Sequence, residues 1–350
     1  MRPPGYDLRP MRLAVDMSCA QGKFPSGVER SFLLTLKALE ELLGSEKVLR
    51  IPPETGIPSF LWRRGFLPGR LERLRPLLLL SPVAALPPRA PCPMVATVHE
   101  IPELRPGAGE STFRLFRNRR ARHKLPGRAW RVLVPSKQTG EALARELPEL
   151  GERIRVFAQP IDPRFFQAQG RDRPREERSG VVFVGVPRRR KNLPRLLEAW
   201  SNLPASLRER HSLHLVGPPD LAQFASSGIQ GLRIHTGLST QGLIELMDRS
   251  LGLALPSLSE GFGIPAFEAA ARGIPCLCTQ DSPMTEWLGH LPLGVDPYSI
   301  TSIEAGLRRL LEDETLWETA ATEGPRRARA FSPQRSARTW LSLLEEAGAR

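Results

Sequence analysis

Two glutamates, Glu260 and Glu268, flank a glycine turn in residues 257–275, "SLSEGFGIPAFEAAARGIP". Gly261 and Gly263 carry no side chains, so backbone N–H groups there can approach a ligand closely. Pro265 suits the first position of a helix, where its missing N–H costs nothing. The free N–H groups and the dipole of that helix favour an anion such as phosphate. A carboxylate repels phosphate, so the glutamates are expected to hold something else, and carboxylates accept well from hydroxyl pairs. One glutamate before the glycines and one inside the helix can grip hydroxyls on either side of a diphosphate. A sugar on one side and a ribose on the other describe a nucleotide-sugar site.

A second constellation is "GVPRRRKNLPRLLEA" (185–199). A strand ends at Gly185, four cations follow at Arg188–Lys191, and Asn192 can cap the next helix. Cations at a strand end can neutralise a leaving diphosphate. The competing reading is a solvated basic turn. The spacing of a Walker A motif is absent. His99 closes the strand in "ATVHE" (96–100), where it can bond a sugar hydroxyl or assist at the reacting centre. A satisfied structural histidine is its alternative. "SGVERS" (26–31) places Gly27 at a strand–helix turn with Arg30 just inside the helix, and the bland reading of Gly27 is a permissive turn residue.

These groups need strand ends to carry them. Short apolar runs at 11–18, 93–100, 129–136 and 153–160 alternate with helical patterns at 28–44, 111–125 and 137–147. Alternation restarts after 180: strands at 180–186, 212–217, 232–237 and 251–256, helices at 192–203, 239–250 and from 265, then "PCLCT" (275–279), a helix around 301–313 and an amphipathic helix at 332–349. Alternating strand and helix predicts doubly wound parallel sheets. Two α/β domains in series are expected: residues 1–168, a charged linker at 169–180, residues 181–331, and a terminal helix at 332–350.

The 350 residues hold 50 Lys and Arg against 37 Asp and Glu, a net charge of +13 that predicts anionic partners. Aromatics make up 6%, too few for base-stacking platforms, so no nucleic-acid partner is expected. Cys19, Cys92, Cys276 and Cys278 read as free thiols. Neither the C-x-C pair nor His211 and His214 has zinc-ligand spacing, so no metal is expected. The N-terminus lacks a signal-peptide apolar core and no run reaches about 18–20 apolar residues. A cytoplasmic protein is expected, peripheral on the inner face of the membrane if its basic surface docks there.

The stretch "PSLSEGFGIPAFEAAARGIP" (256–275) resembles, nearly position for position, the hallmark of retaining GT-B glycosyltransferases of family 4, P-S-x-x-E-G-F-G-x-P-x-x-E-A-x-x-x-G-x-P. "VGVPRRRKNLPRLLEA", "TVHEI", "VPS" (134–136) and, more loosely, "SPMTEWLG" (282–289) are similar to further motifs of that family. The resemblance covers roughly 11–345. It implies an α/β GT-B fold: two Rossmann-like domains facing across a cleft, with the last helix crossing back to the first.

The resemblance also implies roles. Glu268 is similar to the ribose-binding glutamate. Glu260 and the backbone of Gly261–Phe262–Gly263, with Ile264 beside it, are similar to the donor-binding contacts. Lys191 with Arg190 resembles the diphosphate clamp beside Gly185, His99 the first-domain histidine, and Gly27 with Arg30 the donor-phosphate turn. Four positions depart from the family: Ser26 stands where relatives have a second glycine, Glu100 replaces an aspartate, Pro160 a glycine, and the aromatic before the strand at 251 is missing.

The expected reaction moves a hexose from a nucleotide diphosphate sugar, GDP or UDP type, to a glycan or lipid-linked acceptor in bacterial surface polysaccharide or lipopolysaccharide assembly. Mannose is the preferred sugar, ahead of glucose and rhamnose. No cofactor is called for, and the absence of a D-x-D motif fits metal independence. Retention follows from the resemblance alone. Two basic segments mixing Arg with Phe, Trp and Leu, 60–80 and 111–131, suit an anionic membrane surface. The rivals are a glycosidase using the two carboxylates, a catalytically silent relative acting as a partner subunit, and a basic nucleic-acid binder.

Overall fold

The computed structural model describes residues 12–19, 27–101 and 112–349. Among the described residues, twelve strands form two six-stranded parallel sheets. The first holds β1 (Leu13–Asp16), β2 (Val48–Ile51), β3 (Leu78–Leu80), β4 (Met94–Thr97), β5 (Arg131–Val134) and β6 (Ile154–Val156) in the order β2-β1-β3-β4-β5-β6. The second holds β7 (Val181–Val184), β8 (Leu213–Gly217), β9 (Leu232–Thr236), β10 (Gly252–Leu255), β11 (Cys276–Thr279) and β12 (Leu293–Val295) in the order β12-β11-β10-β7-β8-β9.

A strand's period of two feeds two cores from one sheet. In β1, Leu13 and Val15 pack with Phe32, Leu36 and Trp340 on one face, while Ala14 packs with Trp62, Leu67 and Leu71 on the other. Such double burial explains why these strands read as continuous apolar runs.

Each sheet has one point where chain order reverses, and ligands of open α/β sheets bind there, outside the carboxyl ends of the strands. In the first sheet it lies between β1 and β3. In the second it lies between β7 and β10, so the loop after Val184 and the turn after Leu255 are neighbours.

The helix Pro333–Gly348 leaves the second domain and packs on the first-domain helix Gly27–Leu43. The Phe32 and Trp340 rings lie 5.6 Å apart, Ser336 Oγ donates to the Ala158 carbonyl at 2.5 Å, and Arg131 pairs with Glu346. On the cleft side, the backbone N–H groups of Lys137 and Gln138 donate to Glu286 at 2.7 and 3.1 Å. These open the first-domain helix Lys137–Glu146, so a second-domain carboxylate caps a first-domain helix. Beside them Trp287 Nε1 donates to the Pro135 carbonyl at 2.9 Å.

Several elements differ from the sequence reading. β2, β3 and β12, of three or four residues each, were not anticipated. β3 is a uniform Leu run beside prolines, without alternation to mark it. A helix over Glu314–Ala328 runs through Pro325, a residue that reads as a stop. The charged segment before β7 is tied down rather than loose: buried Arg178 donates to the carbonyls of Arg171 and Arg173, and its guanidinium lies over the Trp317 ring.

Candidate functional site

The site assembles at the reversal of the second sheet. After β7 the chain passes Gly185 and makes one 3-10 turn over Arg189–Lys191. After β10 it forms the turn Ser257–Gly263 and enters the helix Ile264–Ala271. Gly263 adopts φ 87°, a left-handed conformation that favours glycine, and a Cβ there would overlap the thioether of Met284. Pro265 is the second helical residue, and its missing N–H costs nothing there.

The two loops meet through charge. Lys191 Nζ donates to Glu260 Oε1 at 2.5 Å, Arg190 Nη1 to Oε2 at 3.2 Å, and Ser257 Oγ to Oε1 at 2.8 Å. The Glu260 and Lys191 side chains are 7% and 10% exposed. Burial pushes the Glu260 pKa up, but the Lys191 and Arg190 charges and the hydrogen bonds override it and hold the carboxyl at about 2. The cations at 190–191 are therefore oriented by Glu260, not solvated. Lys191 has three donor protons and spends one on Glu260, leaving donors for another anion. Arg190 also reaches Glu100 of the first domain, at 3.5 Å.

Glu268 sits in the second turn of the helix that begins at Ile264. It is 3% exposed. Burial raises its pKa to about 7; Arg30 of the first domain pulls the other way and Asp162 adds to the rise. Among the described residues no group hydrogen-bonds this carboxyl. Here the two domains also touch: a Cβ on Gly27, first residue of the helix Gly27–Leu43, would lie 3.4 Å from Ile264 Cδ1. Two helix N-termini thus converge, one from each domain, with Arg30 and Glu268 one turn in.

Two expectations need correction. Asn192 does not cap the helix Leu193–Asn202 with its side chain. It takes a left-handed conformation, φ 57°, and its amide donates to the carbonyls of Pro256 and Pro297, at 2.9 and 2.6 Å, pinning the end of β10. Phe262 is expected to contribute its backbone alone, and its ring is packed away. It is 3% exposed and stacks on Phe267 with ring centroids 4.1 Å apart, so only its backbone is available to a ligand.

The second correction concerns His99, which has no ring nitrogen to spare. Nε2 lies 2.8 Å from the Pro82 carbonyl and Nδ1 2.9 Å from the Gln159 side-chain amide. The carbonyl must accept and the amide must donate, which fixes a neutral ring protonated on Nε2. Burial lowers its pKa further. What His99 does present is its backbone carbonyl, against Gly261.

Sequence reasoning missed Gln159, Glu286 and Asp162, whose roles depend on contacts far away in the chain. Ser26 lies outside the described residues. The cysteines are free thiols; burial raises Cys278 to about 12 and Cys276 well above the ordinary range. His214 meets His235, Nδ1 to Nε2 at 3.0 Å, and among the described residues no cluster of three or more metal-ligating side chains forms.

Residues 167–327 match the family model of the glycosyl transferases group 1. The chain is 30% identical over 159 residues to O-antigen chain mannosyltransferase B of Escherichia coli, covering 43% of this chain and 42% of that protein. It is 29% identical over 231 residues to MMP alpha-(1->4)-mannosyltransferase of Mycolicibacterium hassiacum, covering 63% and 54%. The alignments thus span only about half the length of these curated relatives or less. Its fold is GT-B. It superposes on WaaG, a glycosyltransferase involved in lipopolysaccharide biosynthesis, with a TM-score of 0.75 at 17% identity over 95% of this chain and 99% of that one. It also superposes on Anabaena HepE in complex with UDP and glucose, with a TM-score of 0.73 at 16% identity over 96% and 100%.

Proposed function

We propose that the protein is a retaining, metal-independent hexosyltransferase that moves a sugar, mannose as the first candidate, from a GDP- or UDP-linked donor to a glycan or lipid-linked acceptor. The observation that carries this reading is Glu268. A nearly buried carboxyl without a hydrogen-bond partner among the described residues is costly to the fold. A ribose diol would supply the missing donors. The converging N-termini at Gly27 and Ile264 lie beside it and favour the diphosphate.

In this reading the turn at 260–264 lies over the sugar, with its backbone amides as donors. Charge builds on the leaving phosphate as the glycosidic bond breaks. Lys191 and Arg190, aimed by Glu260, and the N-terminus of the Ile264–Ala271 helix stabilise it. His99 acts here through its backbone carbonyl and through holding the loop, not as a proton carrier. Two relatives named as mannosyltransferases support mannose, and a fold neighbour holding UDP and glucose supports a nucleotide-sugar donor. The proposed setting is surface-polysaccharide assembly on the cytoplasmic side.

The glycosidase reading gains nothing from the geometry. Glu260, held at about 2 by two cations, is a poor general acid, and the cation pair has no task in hydrolysis of a neutral glycoside. The test is proton NMR of products from GDP-mannose, GDP-glucose, UDP-glucose and dTDP-rhamnose with a polyprenyl-linked glycan acceptor, with and without EDTA. Transfer with the donor's anomeric configuration kept and no EDTA effect is the expected result. Inversion, or a rate abolished by EDTA, overturns the mechanism.

A further inference from the structure

Two basic segments of the first domain have no task in the donor site, and the fold brings them side by side. Residues 59–74 form one continuous helical stretch, with a π-turn over Trp62–Phe66. Trp62, Leu67 and Leu71 of this stretch face the core. Its other side leaves Phe60 60% exposed, with Leu61, Phe66, Arg64 and Arg73 also exposed. The helix Thr112–Arg122 presents Phe116, 61% exposed. Arg120 and Lys124 follow at steps of four, in line with Phe116. Partial burial and the charges of Arg128, Arg120 and Arg64 lower the Lys124 pKa, which places Arg64 of one segment within electrostatic reach of the other. No Asp or Glu occurs between residues 111 and 131.

Exposed phenylalanines on a monomer surface normally mark a binding site. Arginines outnumber the acidic residues near them, Glu72 on the first stretch and Glu146 paired with Arg122, so the patch matches a bilayer carrying anionic lipids: rings enter the headgroup–acyl boundary and guanidinium groups meet phosphate. Nucleic acid would use the charges but has no use for aliphatic Leu61 beside Phe60. The patch is also anchored at the cleft. Arg63 Nε donates to Asp16 Oδ2 at 2.9 Å, and Trp62 Nε1 reaches Asp16 Oδ1 at 3.3 Å. Asp16 ends β1, at the reversal point of the first sheet.

We infer that Phe60, Leu61 and Phe116, ringed by Arg64, Arg120 and Lys124, form a docking surface for an anionic lipid bilayer. It holds the first-domain side of the cleft against the membrane. Its value for catalysis rests on the lipid-linked acceptor proposed above, but the docking itself does not.

The test is co-sedimentation of the full chain with vesicles of phosphatidylcholine alone and of phosphatidylcholine with phosphatidylglycerol. Three proteins are compared: wild type, Phe60→Ser/Phe116→Ser and Arg64→Glu/Arg120→Glu, with thermal melting as the fold control. Wild type is expected to bind only the anionic vesicles. Each double variant, melting like wild type, should bind at least about tenfold more weakly, since each basic contact contributes on the order of 1 kcal/mol. Wild type that stays in the supernatant overturns the inference, as does equal binding to neutral vesicles. A Phe60→Ser/Phe116→Ser protein that binds like wild type also overturns it, leaving a generic polycation; tighter retention by DNA than by vesicles would then point to nucleic acid. Nucleotide binding is titrated on the same proteins. Its loss with sedimentation intact counts against the donor site, and the reverse counts against the membrane surface.

Discussion

The backbone carbonyl of His99 in the first domain occupies the space that a side chain on Gly261 of the second would need. This contact joins the strand end of one sheet to the donor turn of the other. It gives Gly261 a reason to be glycine that has nothing to do with its dihedral angles: the two domains meet through its missing Cβ.

Gly261→Ala should therefore act on the closed cleft more than on either domain. The His99–Glu100 loop and the 260–263 turn must separate. A misplacement of about 1 Å in an active site costs roughly 10²-fold in rate. We expect turnover to fall by about that factor while the melting temperature changes little. Steady-state kinetics beside calorimetric melting checks this, and unchanged turnover would show that the contact is dispensable.

Glu260 and Lys191 form a pair that should not be broken from one side. Removing one partner of a buried ion pair typically costs about 3–5 kcal/mol, because the other charge is left unpaired. Glu260→Gln keeps the shape and lets Lys191 retain a polar neighbour, so its loss of stability should be smaller than that of Glu260→Ala. Adding Lys191→Met to Glu260→Ala should recover part of the loss. Urea denaturation of wild type, Glu260→Ala, Lys191→Met and the double variant measures the coupling; additive single effects would count against it.

Glu268 makes stability and binding respond oppositely to pH. Its pKa in the folded chain is raised, to about 7. Between the ordinary carboxyl value and 7 the folded state therefore holds the extra proton, and stability falls as pH rises through that window. Glu268→Gln should stabilise the donor-free protein by about 3 kcal/mol at pH 8, the free-energy equivalent of a rise from the ordinary carboxyl value to about 7. Under the proposed function binding runs the other way, because ribose hydroxyls would donate to the ionised carboxyl. Donor affinity should rise through pH 7 in wild type and stay flat in the variant. Calorimetric titration at pH 6, 7 and 8 distinguishes these outcomes.

His99 should not titrate with the ordinary imidazole value. Its folded pKa is lowered by burial, so the unfolded chain binds the proton first, and the stability due to the neutral ring is lost as pH falls below the ordinary value. Nitrogen NMR should find the Nε2–H form at pH 7. Gln159→Leu removes the donor to Nδ1 and should cut turnover while leaving nucleotide affinity near wild type. An imidazolium signal at pH 7 would contradict this assignment.

The second-domain loops of the candidate site were legible because they are contiguous in sequence. The turn 257–264, the cations at 188–191 and the helix at 264–271 are each local, and β7 and β10 bring them together. Local patterns also marked the long helices and most strands. Short β2, β3 and β12 escaped because three or four residues are too few to show a period: β3 is buried throughout, while β2 and β12 each carry one exposed position. His99 was legible as a residue but not in its role, since Pro82 and Gln159, which occupy its ring, lie 17 and 60 positions away. Glu286 was invisible for the same reason: it caps a helix 148 positions earlier, across the cleft.

The most direct test of the donor-site assignment is isothermal titration of GDP-mannose, UDP-glucose and their nucleoside diphosphates into wild type and Glu268→Gln at pH 8. One nucleotide class should bind the wild type at least about thirtyfold more tightly than the variant, the factor expected when a charged hydrogen-bond acceptor worth about 2 kcal/mol is removed. Equal affinity in the two proteins, or no binding of either nucleotide to the wild type, would contradict the assignment of Glu268 to the ribose.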